Sequence, residues 1–136
     1  MGLFTVKEAA AINRESVKAF FKSDIYSRLA KSSNVLREKQ FIVRFCDIAV
    51  DEALKEIYND TDGMLQGIAD CLFEESDGYV LVDYKTDRVK SETELIERYR
   101  GQLSLYKSAF GAILDKPIKS AYIYSFCLAR GIEIEL

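Results

Sequence analysis

The sequence predicts a mixed α/β fold, a single sheet with helices packed on it. Three observations carry this. Apolar residues recur every fourth position in the first third, every second position in several later stretches, and again at helical spacing in one long segment before the last strands. At 136 residues and 15.5 kDa the chain is expected to form one domain over 1–136, with N-terminal helices over 5–31 and a core of sheet and helix over 35–136.

The elements follow in order. Thr5-Val-Lys-Glu8 has the spacing of a capping box, and Val6, Ala9, Ala10 and Ile12 continue it as a short apolar face. From about Glu15, a second helical stretch carries Val17, Phe21, Ile25 and Leu29, until Ser32, Ser33 and Asn34 break the pattern. Val35 to Phe45 alternates Phe41, Val43 and Phe45 with Gln40, Ile42 and Arg44, as a strand does. Cys46 to Gly63 is ambiguous, with a short helix over Asp51–Tyr58 and turn chemistry in Asn59–Gly63. Met64–Glu74 and Tyr79–Lys85 read as a hairpin closed by Glu75-Ser-Asp-Gly78. Ser91-Glu-Thr-Glu94 is a second capping box. It opens a helix to about Leu114 with the stripe Leu95, Tyr99, Leu103, Tyr106, Phe110 and Ile113, and Asp115-Lys-Pro117 ends it. Lys119–Leu128 is a strand with Tyr122, Tyr124, Phe126 and Leu128 on one face. Arg130-Gly131 turns the chain into a last strand through Ile132, Ile134 and Leu136.

Composition removes several function classes. Hydrophobic residues make up 49% and charged residues 30%, the balance of a folded chain rather than a disordered one. No apolar run approaches the ~20 residues that span a bilayer, so no membrane association is expected. Met1 to Ala11 lacks the apolar block of a secretory signal. With no histidine, Ser-His-Asp and Cys-His catalysis are excluded, as is any zinc site that needs imidazole. Cys46, Cys71 and Cys127 have no CxxC spacing and read as buried free thiols of a reducing, cytoplasmic compartment. A net charge of −3 excludes an overall basic nucleic-acid binder but not a local basic patch. There is no GxxxxGK[ST] loop and hence no nucleotide site of that kind.

The hairpin register concentrates the chemistry. If Glu74 pairs with Tyr79, then Phe73 faces Val80, Cys71 faces Val82, and Asp70 faces Asp83, with Lys85 on the same face two positions on. Two opposed carboxylates in apolar strands repel and need compensation. A hard divalent cation supplies it, taking carboxylate oxygens and a backbone carbonyl such as that of Tyr84. Lys85 then suits charge neutralisation on a phosphate. Periodicity leaves a plainer alternative open, solvated acids at strand ends with Lys85 bridging Asp83 or Asp87. Gln102 lies between Tyr99 and Tyr106 on the long helix. It is either a satisfied core amide or a contact to the Lys85 region, a water or a substrate. Gly101 beside it hints at a close backbone approach. Arg88, Lys90, Arg98, Arg100 and Lys107 are either a phosphate grip or a solvated helix face.

Gly67-Ile-Ala-Asp70, Asp83-Tyr-Lys85 and Gln102-Leu-Ser-Leu-Tyr106 resemble the RecB-like branch of the PD-(D/E)XK nuclease superfamily. The longer stretches Leu65–Asp70, Leu81–Val89 and Glu97–Leu103 look like the C-terminal nuclease domains of AddA-type helicase–nucleases. The resemblance implies a restriction-endonuclease-like core with a mixed sheet, truncated at its N-terminal side. It implies Mg²⁺-dependent (or Mn²⁺-dependent) exonuclease-type cleavage of DNA in double-strand break repair. In that match Asp70, Asp83 and the Tyr84 carbonyl hold the metal, Lys85 is the catalytic lysine, and Gln102 and Tyr106 form the helix motif near the site. The partners implied are DNA, a helicase portion of the same polypeptide and a second, AddB-like subunit. That branch completes its metal site with a histidine that this chain lacks, leaving Glu8 and Glu38 as candidate substitutes. The alternatives are a catalytically silent structural or DNA-docking fragment, or a stand-alone repair nuclease of the same superfamily.

Overall fold

The computed structural model describes residues 14–44 and 63–136. The helix expected from Thr5, the end of the first strand at Phe45, and the stretch 46–62 lie outside the described residues.

The predicted second helix is two helices, α1 (Arg14–Phe21) and α2 (Asp24–Lys31). Ser23 divides them. Its hydroxyl donates to the Phe20 carbonyl at 2.6 Å, and its Oγ accepts the Tyr26 N–H at 3.2 Å as the N-cap of α2. A serine that can satisfy backbone groups on both sides competes with helix continuation. The break resets the phase: Phe20, not Phe21, is fully buried, while Phe21 is 45% exposed. Ile25 and Leu29 are buried, as the spacing predicts.

Five strands follow: β1 (Val35–Arg44), β2 (Met64–Glu75), β3 (Gly78–Lys85), β4 (Ile118–Ser125) and β5 (Arg130–Ile134). They form one sheet in the order β1-β2-β3-β4-β5. β3 and β4 are parallel and the other neighbours antiparallel. The parallel pair is joined by the long helix α3 (Glu92–Ile113), as a crossover connection requires. The sheet is therefore mixed, as expected.

Each face of the sheet carries its own core. α3 covers one face, with Leu95, Leu103 and Phe110 against Leu81 and Ile123. α1 and α2 cover the other, with Phe20, Ile25 and Leu29 against Phe73, Val82 and Tyr124. Val80 and Val82 point to one layer and Leu81 to the other, so β3 is apolar on both faces, as a strand sandwiched between helices must be.

Several local expectations change. The hairpin turn is two residues, Ser76 and Asp77, because Glu75 and Gly78 still pair. Ser91 stands at the N-cap of α3 without a side-chain cap bond; Glu94 instead accepts the Lys90 N–H at 3.4 Å. Ile113 is exposed rather than part of the buried stripe. β4 ends at Ser125, whose Oγ accepts the Leu128 N–H at 3.0 Å and stabilises a turn over 126–129. The chain thus reverses before Arg130, with Ala129 in the left-handed region (φ 56°). Gly131 serves packing instead: a Cβ there would lie 2.8 Å from Ile25 Cγ1. Leu136 is exposed, beyond the end of β5. A Cβ on Gly101 would meet nothing within 4 Å, so no backbone approaches it. Cys71 is buried, and burial pushes its thiol up to about 11, but Cys127 is exposed.

Candidate functional site

The β2–β3 register is the expected one from Glu74–Tyr79 through Cys71–Val82, and there the ladder stops. Asp70 and Asp83 are therefore not ladder partners. The Asp70 carboxylate instead accepts the Tyr84 N–H at 2.9 Å. A side chain takes the place of a backbone carbonyl where the two strands part.

Asp70 also sits where β2 changes phase. Ala69 packs in the α3-side core, while Cys71 and Phe73 pack in the opposite one. β1 changes phase at the same level: Val35 lies in the α1–α2 layer and Phe41 and Val43 in the α3 layer. Between them, Glu38 has φ 50° and lies opposite Asp70, flanked by the pairs Arg37–Cys71 and Lys39–Ala69.

Asp83 lies on the α3 side of β3, next to Leu81 in the alternation, and is only 6% exposed. Lys85 extends along the same side, its Nζ 2.9 Å from Asp83 Oδ2. Burial of Lys85 opposes its charge, but the Asp83 carboxylate, with smaller contributions from Tyr99 and Asp70, outweighs this and raises the ammonium pKa. Of the two partners the sequence leaves open for Lys85, the structure selects Asp83. Asp87 belongs elsewhere, accepting hydrogen bonds from Arg98 Nη1 and Tyr99 Oη, both at 2.6 Å.

Tyr84 points its ring the other way, edge-on to Phe20 at 5.5 Å between centroids, which pins β3 to α1. Gln102 Nε2 donates to Tyr106 Oη at 3.2 Å, so the amide finds its partner one turn along its own helix. Tyr106 packs edge-on against Phe41 at 5.1 Å. Gly67 makes room for both: a Cβ there would lie 2.8 Å from Phe41 Cζ and 3.1 Å from Tyr106 Oη. The Gly67 and Asp70 of one segment thus serve two ends of the site, packing space and a carboxylate.

Of the basic cluster, Arg98 is committed to Asp87 and Arg100 donates to the Glu135 carbonyl at 3.0 Å, whereas Arg88 and Lys90 are exposed. Tyr99 is the residue the sequence undervalued. Its ring lies 4.0 Å from Lys85 Nζ, where helical periodicity assigned it only to packing.

Asp70 and Asp83 offer carboxylate oxygens only, the donor set of a hard divalent cation. Asp83 is buried and faces a single cation, so the pair fits such an ion. Among the described residues no third acidic, cysteine or histidine side chain joins them. Glu38 does not complete a triad, and Glu8 lies outside the described residues.

A family model of the PD-(D/E)XK nuclease superfamily matches residues 5–128. The chain belongs to the PD-(D/E)XK nuclease superfamily. Its five-stranded mixed sheet with helices on both faces is consistent with the restriction-endonuclease-like core of that superfamily. Proteins named as the A-type subunit of ATP-dependent helicase/nucleases are similar to it: 40% identical in Clostridium perfringens over 97% of this chain, 40% in Clostridium novyi over 96%, and 39% in a Thermoanaerobacter species over 96%. The chain spans about a tenth of the length of these relatives, 11% in each. Among the described residues no helix of this nuclease domain is long and apolar enough to cross a membrane.

Proposed function

We propose that this chain is the nuclease domain of an ATP-dependent helicase–nuclease that hydrolyses DNA phosphodiester bonds with a divalent cation during double-strand break repair in the cytoplasm. The observation that carries the reading is the buried Asp83 carboxylate, 2.9 Å from the Lys85 ammonium, beside a second carboxylate, Asp70, held by the Tyr84 N–H. The relatives' shared name supports two partners, the helicase portion and a second, AddB-like subunit.

Asp70, Asp83 and the Tyr84 carbonyl are the groups that would hold Mg²⁺ or Mn²⁺. When bound, the cation supplies positive charge to the scissile phosphate and makes a nearby water more acidic. The raised pKa of Lys85 keeps it protonated at neutral pH, so it acts as a charge donor to the phosphate oxygens rather than as a general base. The hydrogen bond from the Tyr84 N–H fixes the Asp70 carboxylate and spends part of its lone-pair capacity, leaving the remainder for a ligand. Gln102 and Tyr106, locked to each other, are placed to orient the substrate strand.

The test is cleavage of single-stranded DNA with Mg²⁺ or Mn²⁺. Asp83→Ala and Lys85→Ala should each lower the rate by about 10²–10³-fold without loss of folding. Variants that cut like the parent would remove the assignment. A second reading, a silent DNA-docking domain, is favoured by the two-acid donor set. Calorimetric titration with Mn²⁺ separates them, since only the catalytic reading predicts binding that Asp70→Ala abolishes.

A further inference from the structure

Lys85 is held by more than its carboxylate partner. Its Nζ lies 4.0 Å from the centroid of the Tyr99 ring, a distance at which a cation is attracted by the ring face. Tyr99 is itself tied down. Its hydroxyl donates to Asp87 Oδ2 at 2.6 Å, and Arg98 Nη1 grips the same oxygen at 2.6 Å. Asp87 follows Lys85 by two residues as the chain leaves β3, and Tyr99 stands on α3. The link therefore joins the end of the strand that bears Lys85 to the helix that covers it. Tyr99 is half-buried, and its burial, together with the bond to Asp87, raises the pKa of its phenol, so it stays a neutral ring and a hydrogen-bond donor.

From this geometry we propose that Tyr99, anchored by Asp87, is a positioning residue that seats the Lys85 ammonium independently of Asp83. The proposal rests on the nuclease reading of Lys85. Its physical basis is competition for one carboxylate. Whatever cation occupies Asp83 weakens that carboxylate's hold on Lys85, and a four-carbon side chain then loses its tether. The Tyr99 face does not compete for the cation. It keeps the ammonium within reach of the phosphate when Asp83 is engaged. A tyrosine ring limits where the charge can go without neutralising it, which a second carboxylate would do.

The test combines NMR with kinetics on the same protein. The ε-methylene protons of Lys85, assigned by their loss in Lys85→Ala, should show an upfield ring-current shift. That shift should persist in Tyr99→Phe and vanish in Tyr99→Leu. With DNA and Mg²⁺, Tyr99→Leu should lower kcat about 5- to 30-fold while KM changes by less than about twofold, and Tyr99→Phe should recover most of the loss. A parent protein without the shift overturns the proposal even if Tyr99→Leu fails to fold. So does a Tyr99→Leu protein that folds and keeps the parent kcat, or a Tyr99→Phe protein no better than Tyr99→Leu. If Lys85→Ala cuts as fast as the parent, the nuclease reading itself fails, an outcome distinct from a silent Tyr99→Leu.

Discussion

At Gly67 the absence of a side chain is what lets the sheet and α3 meet. The Phe41 ring and the Tyr106 hydroxyl both occupy space that a Cβ would need. Both belong to one aromatic group with Phe110, whose ring stands 5.0 Å from that of Phe41. The ring of Phe41 is 2% exposed and cannot swing into solvent. Gly67→Ala is therefore expected to cost about 1–3 kcal/mol, as overpacking does, read as a lower midpoint in urea at unchanged slope. It should also loosen the Gln102–Tyr106 bond that the hydroxyl makes. The motif of glycine followed by aspartate three residues later was visible in the sequence, but only the structure shows that the glycine is demanded by packing. Asp70 teaches the converse. Extending the hairpin register made Asp83 its partner, and the ladder in fact stops one pair short. Both strands β1 and β2 change phase at that level, which an alternating pattern of residue types cannot reveal.

Among the elements, α1 and α2 separate what periodicity can and cannot do. Spacing by four located Ile25 and Leu29 correctly, because both lie within one helix. It failed at Phe21, because Ser23 interrupts the helix and the angular phase before the break differs from the phase after it. Phe20 instead enters the layer against β3 and β4, with edge contacts to Tyr84 at 5.5 Å and Tyr124 at 4.9 Å between centroids. Phe20→Ala should accordingly cost about 3–5 kcal/mol, whereas Phe21→Ala should cost less than about 1 kcal/mol. Paired urea titrations check this, and equal losses would contradict the assigned phase. The strands and α3 were legible because each is long and strongly patterned. The turn at 126–129 was not: its stabilising bond is a backbone amide to a serine hydroxyl, and its left-handed residue is an alanine.

Over the whole molecule, charge is organised at the opposite end of β3 from Lys85. Glu75, beside the hairpin turn, accepts two hydrogen bonds from Arg28 of α2, at 2.8 and 3.0 Å, and pairs with Lys119 of β4 at 2.6 Å. These bonds pull the Glu75 carboxyl down to about 2, below its ordinary 4.5. A depressed carboxyl pKa stabilises the fold above the unfolded value, and that contribution fades as pH falls from about 4.5 toward 2. Glu75→Gln should lose about 1–2 kcal/mol at neutral pH and show a shallower decline across that acid window, measured by denaturation at a series of pH values. The network ties helix, hairpin and parallel strand together, so it bears on stability and leaves the Asp70–Asp83–Lys85 end free for chemistry. The most direct measurement of that chemistry is a crystal of the protein soaked in Mn²⁺ and examined by anomalous scattering. A peak about 2.0–2.2 Å from carboxylate oxygens of both Asp70 and Asp83 is the predicted result. A peak elsewhere, or none with those two carboxylates unmoved, would contradict it.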